Sequence, residues 1–157
     1  MMTNDDLRLS GVQYDICDTQ GRIFEVVAKK YSPDSFMLFA EKYMRSDFCR
    51  RQMDSSYSRF QAHDPEESLD FVIPEIEKNT KLYDGTDRMF SPDVAYWIGF
   101  TYRQISMKTC LYSSDIIQKI PLKRMIAMYS GLHTLDETMA LEIIMQEFQL
   151  PFQNKKV

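Results

Sequence analysis

A chain of 157 residues with 44% hydrophobic side chains, including ten Phe, nine Tyr, one Trp and eleven Met, has the material for one packed core. A domain of that length buries roughly two-thirds of the surface its unfolded chain exposes, and a 27% charged fraction is too apolar for a disordered chain. The formal net charge of −4 gives no global attraction to nucleic acid, although a local basic patch remains compatible with it.

Gly and Pro number only five and six, fewer than an all-β fold with many tight turns requires. Methionine fits helices, because an unbranched side chain loses little rotamer freedom there. Cys17, Cys49 and Cys110 are odd in number and widely spaced. That spacing argues against a disulfide framework and a zinc site, and favours three buried apolar thiols. Asp5 and Asp6 stand where a signal peptide would carry basic residues, and no stretch reaches the 18 or more apolar residues of a membrane span. The cytoplasm is the expected compartment, with no membrane partner.

In chain order, residues 1–10 read as a loose start. Residues 11–31 are ambiguous. Val12, Tyr14 and Ile16 alternate as in a half-buried strand, whereas Ile23, Val26 and Val27 recur at helical spacing. A strand then a helix, a single early helix, or a small hairpin closed at Asp18 to Gly21 would each satisfy the pattern. From Ser32 the punctuation becomes helical. Ser32-Pro33 caps and opens a helix whose apolar face is Phe36, Phe39, Ala40 and Tyr43. Ser46 caps a short helix with Phe48, Cys49 and Met53, and Asp64-Pro65-Glu66-Glu67 starts another that buries Leu69, Val72 and Ile73 before Pro74 ends or kinks it.

Residues 79–90 read as a loop with a turn at Asp84-Gly85, and mark a division into subdomains if there is one. Ser91-Pro92 begins a helix over 92–108 with Val94, Trp97, Ile98 and Ile105 on one face; Trp97 is expected in the core. Gly99 inside it costs about 1 kcal/mol relative to Ala, which points to close helix packing. Ser113 or Ser114 caps a short helix with Ile116 and Ile117, and Pro121 opens one with Leu122, Met125, Ile126 and Tyr129 inward. Gly131 ends that helix. Thr134 and Glu137 form a capping box for the last one, whose stripe is Met139, Ile143 and Ile144 up to Phe148, before Pro151 stops it. The fold class is mainly α: one compact multi-helix domain over 1–157, with the hairpin as its one β alternative.

Motifs for phosphate loops, dinucleotide binding, zinc proteases and serine hydrolases are absent from the sequence. His63 and His133 lack metal-ligand spacing with the cysteines, so neither a metal nor another cofactor is expected. Residues 64–78 hold six acidic side chains and one lysine, a local charge of −5; Glu66 and Asp70 share a face there, as a solvated acidic surface near a helix start. Residues 102–124 carry the opposite sign, +4, from Arg103, Lys108, Lys119, Lys123 and Arg124 against Asp115, with Tyr96, Trp97, Tyr102, Tyr112 and Tyr129 nearby. Such a surface can hold phosphates or stack bases. Tyr102 and Arg103 suit either an interface centre or a polar clamp between helices.

WIGFTYRQIS at 97–106 and YSGLHTLDETMA at 129–140 resemble motifs of small uncharacterised bacterial helical proteins from toxin–antitoxin-like or mobile-element neighbourhoods. The resemblance covers mainly residues 91–148, and departs at Gln104 and Ile105, where that family carries another aromatic after Tyr-Arg. It implies a helical partner-binding protein of antitoxin or immunity-like type.

The sequence therefore leads to a stoichiometric protein-binding factor with Tyr102, Arg103, Tyr129 and His133 at its interface. One alternative is a nucleic-acid-binding regulator using Lys119, Lys123 and Arg124. Another is a small enzyme acting on an anionic substrate, with Tyr102, Arg103 and His133 converging in a pocket. Self-association is the remaining partner option, since an apolar stripe fits a core or a dimer seam equally.

Overall fold

Ser10 and Gln13 cap each other reciprocally, each side chain taking the other's backbone N–H at 3.1 Å, and this launches a helix that settles the ambiguous region. In the computed structural model, which describes residues 3–156, that helix runs unbroken over Gly11–Lys30. The expected hairpin is not formed. Val12 and Tyr14, whose alternation with Ile16 mimicked a strand, are 58% and 42% exposed. The buried side instead recurs every three or four residues through Gln13, Ile16, Cys17, Gln20, Phe24 and Val27. Asp18, placed by the hairpin reading in a turn, pairs one helical turn along with Arg22 at 2.9 Å.

Among the described residues there are eight α-helices and no strand: α1 Asn4–Leu7, α2 Gly11–Lys30, α3 Pro33–Met44, α4 Pro65–Ile76, α5 Pro92–Thr109, α6 Ser113–Lys119, α7 Leu122–Leu132 and α8 Glu137–Glu147. A π-helical turn at Cys49–Met53 and a 3₁₀ turn at Arg59–Ala62 link α3 to α4. The single β feature among the described residues is an isolated antiparallel bridge between Tyr31 and Asp84. No helix among these residues is long and apolar enough to cross a membrane.

The packing centre is α5, which lies along α2 and is buried on every side from Ile98 to Thr109. Two glycines make that approach possible. A Cβ on Gly99 would sit 2.7 Å from the Gln20 carbonyl oxygen and 3.1 Å from Gly21 Cα; one on Gly21 would strike the Tyr96 ring at 2.8 Å. Aromatic edges extend the core from this crossing, with Phe24 meeting Phe36, Phe39 and Tyr43 at ring separations of 5.3–6.1 Å. The 77–91 segment is tied to the α2–α3 junction. Ser32 N donates to Tyr83 O at 2.8 Å, Gly85 N to Lys30 O at 3.0 Å, and Phe90 stacks on Phe36 at 4.3 Å.

The expected starts at Ser32, Asp64 and Ser91 are real caps, each side chain accepting a backbone N–H of the first turn. The expected stops and later caps shift. α4 carries Pro74 within its last turn and continues to Ile76. α7 passes through Gly131, and Asp136, not Thr134, caps α8 by accepting from Thr138 N at 2.8 Å. Rotated accordingly, α8 buries Ala140, Leu141, Ile144 and Met145 and leaves Met139 and Ile143 exposed.

Gly99→Ala is expected to cost about 1–3 kcal/mol, because the new methyl meets backbone that cannot swing away. Gly131→Ala, whose Cβ meets nothing within 4 Å, is expected to stabilise by up to about 1 kcal/mol. Urea unfolding of the two variants checks the contrast in sign.

Candidate functional site

Arg103 sits on the inner side of α5 with 0% of its surface exposed. A guanidinium in the core requires a full set of acceptors and a counter-charge. Both are present. Its Nε and one terminal nitrogen donate to Gln20 Oε1 at 3.0 and 2.7 Å; the other meets Asp54 Oδ1 at 2.7 Å, Met53 O at 3.2 Å and Ser106 Oγ at 3.1 Å. Cys49 Sγ and Ser113 Oγ complete the shell at 3.2 and 2.9 Å. Burial works against the arginine's charge, but the acceptors of the cluster, with the Asp54 carboxylate as counter-charge, outweigh it and hold the group more firmly protonated than usual.

The segment that delivers Asp54 and Cys49 is set by short-range chemistry. Ser46 Oγ accepts from Cys49 N at 3.0 Å, and Glu75 of α4 accepts from the backbone of Asp47 and Phe48 at 2.7 and 3.0 Å. The π-helical turn then presents Cys49 and Asp54 to Arg103. Ser113 does not cap α6 with its side chain; its Oγ donates to Asp54 Oδ1 at 2.6 Å while its backbone N–H reaches Oδ2 at 3.0 Å.

This cluster is the clamp of the two alternatives open to Tyr102 and Arg103. Tyr102 is equally buried and donates to Ile120 O at 2.8 Å, so neither residue is a surface anchor. The enzyme arrangement of Tyr102, Arg103 and His133 is not assembled. Tyr102 is spent on the α6–α7 junction, Arg103 on the core, and His133 is exposed at the end of α7. The expectation of three buried thiols is also corrected. Cys17 and Cys49 are enclosed, but Cys110 is exposed, closing α5 in the left-handed conformation at φ 57°. Burial pushes the Cys49 thiol up to about 11 and raises Cys17 further.

Tyr129 and His133 do lie together at the surface. Their rings stack at 4.1 Å with 8° between planes, His133 Nδ1 is 2.7 Å from Tyr129 O, and the Trp97 ring meets Tyr129 edge-on at 5.7 Å. These three rings form one wall of a cleft of about 690 Å³. Asp18, Arg22 and Glu25 of α2 and Asp93 of α5 supply its charge, three carboxylates to one guanidinium. Tyr96 lines it too, with Val26 and Pro65, and hydrogen-bonds Asp18; burial, then that bond, pushes its phenol upward. The cleft shares Asp18 and Arg22 with a neighbouring depression of about 500 Å³ that adds Asp15, His63 and Asp64. It also shares Tyr96, Trp97 and His133 with a smaller depression of about 160 Å³ that reaches Tyr14, Phe100, Gln104 and Glu137.

The basic stretch is less basic outside than its sequence reads. Arg103 and Lys108 are buried, while Arg124 pairs with Glu147 at 3.3 Å and covers the Phe148 ring at 4.9 Å. Lys119 and Lys123 remain as exposed cations beside it. The acidic stretch is likewise partly consumed: Glu67 pairs with Arg59 at 3.0 Å and lies 3.6 Å from His63, and Glu75 caps the Asp47–Phe48 turn. No group of three or more metal-ligating side chains converges among the described residues.

Sequence reasoning missed the cleft acids Asp18, Glu25 and Asp93, because they come from two helices 68 or more residues apart. One signal for the core cluster was present: Gln20 stands inside the apolar stripe of α2.

Arg103→Met, which strands Asp54 in the core, is expected to cost about 3–5 kcal/mol, against at most about 1 kcal/mol for Arg124→Met at the exposed pair; urea unfolding at neutral pH measures both. Native protein should offer one thiol, Cys110, to an aromatic disulfide reagent and three once unfolded. Because the unfolded Cys49 thiol loses its proton near 9 and the folded one only near 11, its contribution to stability should be intact below pH 9 and fall away as pH rises through that window.

Comparison of the chain with protein-family models, with curated proteins and with solved structures gave no significant match in any of the three, so the functional reading rests on the site itself.

Proposed function

We propose that this chain acts by stoichiometric protein binding, with the aromatic and acidic cleft between α2, α5 and α7 receiving a basic segment of a partner protein. The observation that carries the reading is that Trp97, Tyr129 and His133 line one cleft together with Glu25, Asp93 and the Arg22-paired Asp18. Aromatic faces attract cations and offer area at low rotamer cost, and carboxylates steer a basic segment and fix its register. In this reading Tyr129 and His133 are again interface residues, and Tyr96 and Trp97 stand in place of Tyr102 and Arg103.

Inhibition by occlusion, in the manner of an antitoxin or immunity factor, is the form of this proposal that matches the resemblance of residues 97–106 and 129–140. A cytoplasmic setting belongs with it and is supported by three unpaired cysteines. The nucleic-acid alternative has only Lys119, Lys123 and a partly neutralised Arg124 in its favour.

A fluorescent oligo-arginine peptide provides the test, by anisotropy at low and moderate salt. Glu25→Lys with Asp93→Lys should weaken binding at least about tenfold, and Trp97→Ala should weaken it with little change in salt dependence. The same charge reversal at Glu66 and Asp70, on the exposed acidic side of α4, should leave affinity within about twofold. Equal losses from both pairs would show general acidity at work and contradict a cleft.

A further inference from the structure

A second cleft, of about 510 Å³, lies where the segment before α2, the end of α5 and the segment after α8 meet. Its charged lining is opposite in sign to the first: Arg8, Lys108, Lys155 and Lys156 against Asp5 alone. Asp5 is engaged by Arg8 at 3.2 Å. The protein as a whole is acidic, so a net positive cleft formed by three separate segments is a local concentration of charge against the global trend.

Lys108 is the unusual member. It is 1% exposed, and its ammonium has three N–H donors, of which one goes to the neutral Asn154 Oδ1 at 2.7 Å. No carboxylate lies within ion-pair distance of it among the described residues. Burial pulls its affinity for a proton down, and Asp6 and Cys17 are the groups opposing that shift. A buried cation without a counter-ion is costly. A ligand anion in the cleft it lines would supply one.

The surrounding geometry suits such a ligand. The twenty-residue α2 begins at the cleft wall, through Ser10 and Gln13, with no acidic residue in its first turn to offset its positive end. Gln13 Nε2 donates to Asn154 Oδ1 at 3.2 Å and to Lys155 O at 3.1 Å, which holds the distal segment against α2. Lys155 N donates to Met107 O at 2.7 Å and Gln153 N to Lys108 O at 2.7 Å, fixing the same segment on α5. Lys155 Nζ is turned inward onto Asp54 O, so the cations that remain at the cleft are Lys108, Lys156 and Arg8, the last of them paired with Asp5.

From Lys108, buried with no carboxylate within ion-pair distance among the described residues, and from the converging cations, we infer that this cleft binds a small, multiply charged free oxyanion of the phosphate class. The bound anion neutralises Lys108 and ties the 153–156 segment to the start of α2. The site is independent of the protein-binding cleft, with which it shares no residue.

Titration of the full chain with inorganic pyrophosphate at constant ionic strength, followed by backbone amide NMR, tests this. Saturable shifts are expected at Arg8, Ser10, Lys108 and Asn154, with slower amide exchange at Lys155. Arg8→Glu with Lys156→Glu, both exposed, should weaken binding at least about tenfold without changing the melting temperature of the free protein. Lys123→Glu should change neither. Lys108→Met should abolish binding, and the melting temperature of the free protein should hold or rise, since a purely structural ammonium–Asn154 bond would make it fall. Absence of saturation up to about 10 mM, or equal weakening by the Lys123 and the Arg8/Lys156 variants, overturns the proposal.

Discussion

The close crossing of α2 and α5 is the constraint on which the rest depends. With Gly21 and Gly99 face to face, the two backbones approach near enough for Gln20 Nε2 to donate to Gly99 O at 2.9 Å. The same Gln20 side chain then presents Oε1 to Arg103 from two directions and to Tyr43 Oη at 3.1 Å. A longer side chain at either glycine would push the helices apart and separate Arg103 from its acceptor. Shape at the crossing and satisfaction of the buried charge are therefore one requirement. The cluster meets it fully: Ser68 Oγ, in another part of the core, is the one buried side-chain polar atom without a partner among the described residues.

The crossing also positions the surface. Tyr96 lies directly over Gly21, where any side chain would collide with its ring, and from there its hydroxyl reaches Asp18 one turn away on α2. That contact aligns the acids of α2 with the aromatic wall built by Trp97 and α7. Beyond Ile98, α5 is enclosed and has no surface left to offer. Its exposed chemistry is thus confined to the first turns, and this is why the cleft forms at Tyr96 and Trp97 and not at Tyr102 and Arg103. The aromatic residues that α5 gives to the cleft thus lie six positions before Tyr102 and Arg103, for a packing reason.

The helical architecture was legible wherever local chemistry decided it. Ser32-Pro33, Asp64-Pro65, Ser91-Pro92 and Pro121 each start a helix because a cap or a pre-set φ acts within one turn. Long-range contacts decided what could not be read. The Val12, Tyr14 and Ile16 alternation was accidental, because solvent faces the first two and the Gly21 crossing keeps α2 straight through a residue that otherwise marks a turn. Thr134 lost the cap of α8 to Asp136, two positions on, a choice that both residue types permit. The +4 stretch misled because summing charge along a chain ignores burial: Arg103 and Lys108 lie inside. Asp54, which makes the buried arginine tolerable, is 49 residues away in sequence and announced by no motif.

Native-state hydrogen exchange reads out whether the α2–α5 crossing holds the fold together. If the glycine crossing and the Arg103 cluster organise the fold, the amides of Ile98 to Met107 and those of Ile16 to Val27 will exchange only through global unfolding, with one shared free energy equal to that from urea. Exchange of the α5 segment through a local opening of markedly lower free energy, while other helices stay protected, would contradict it.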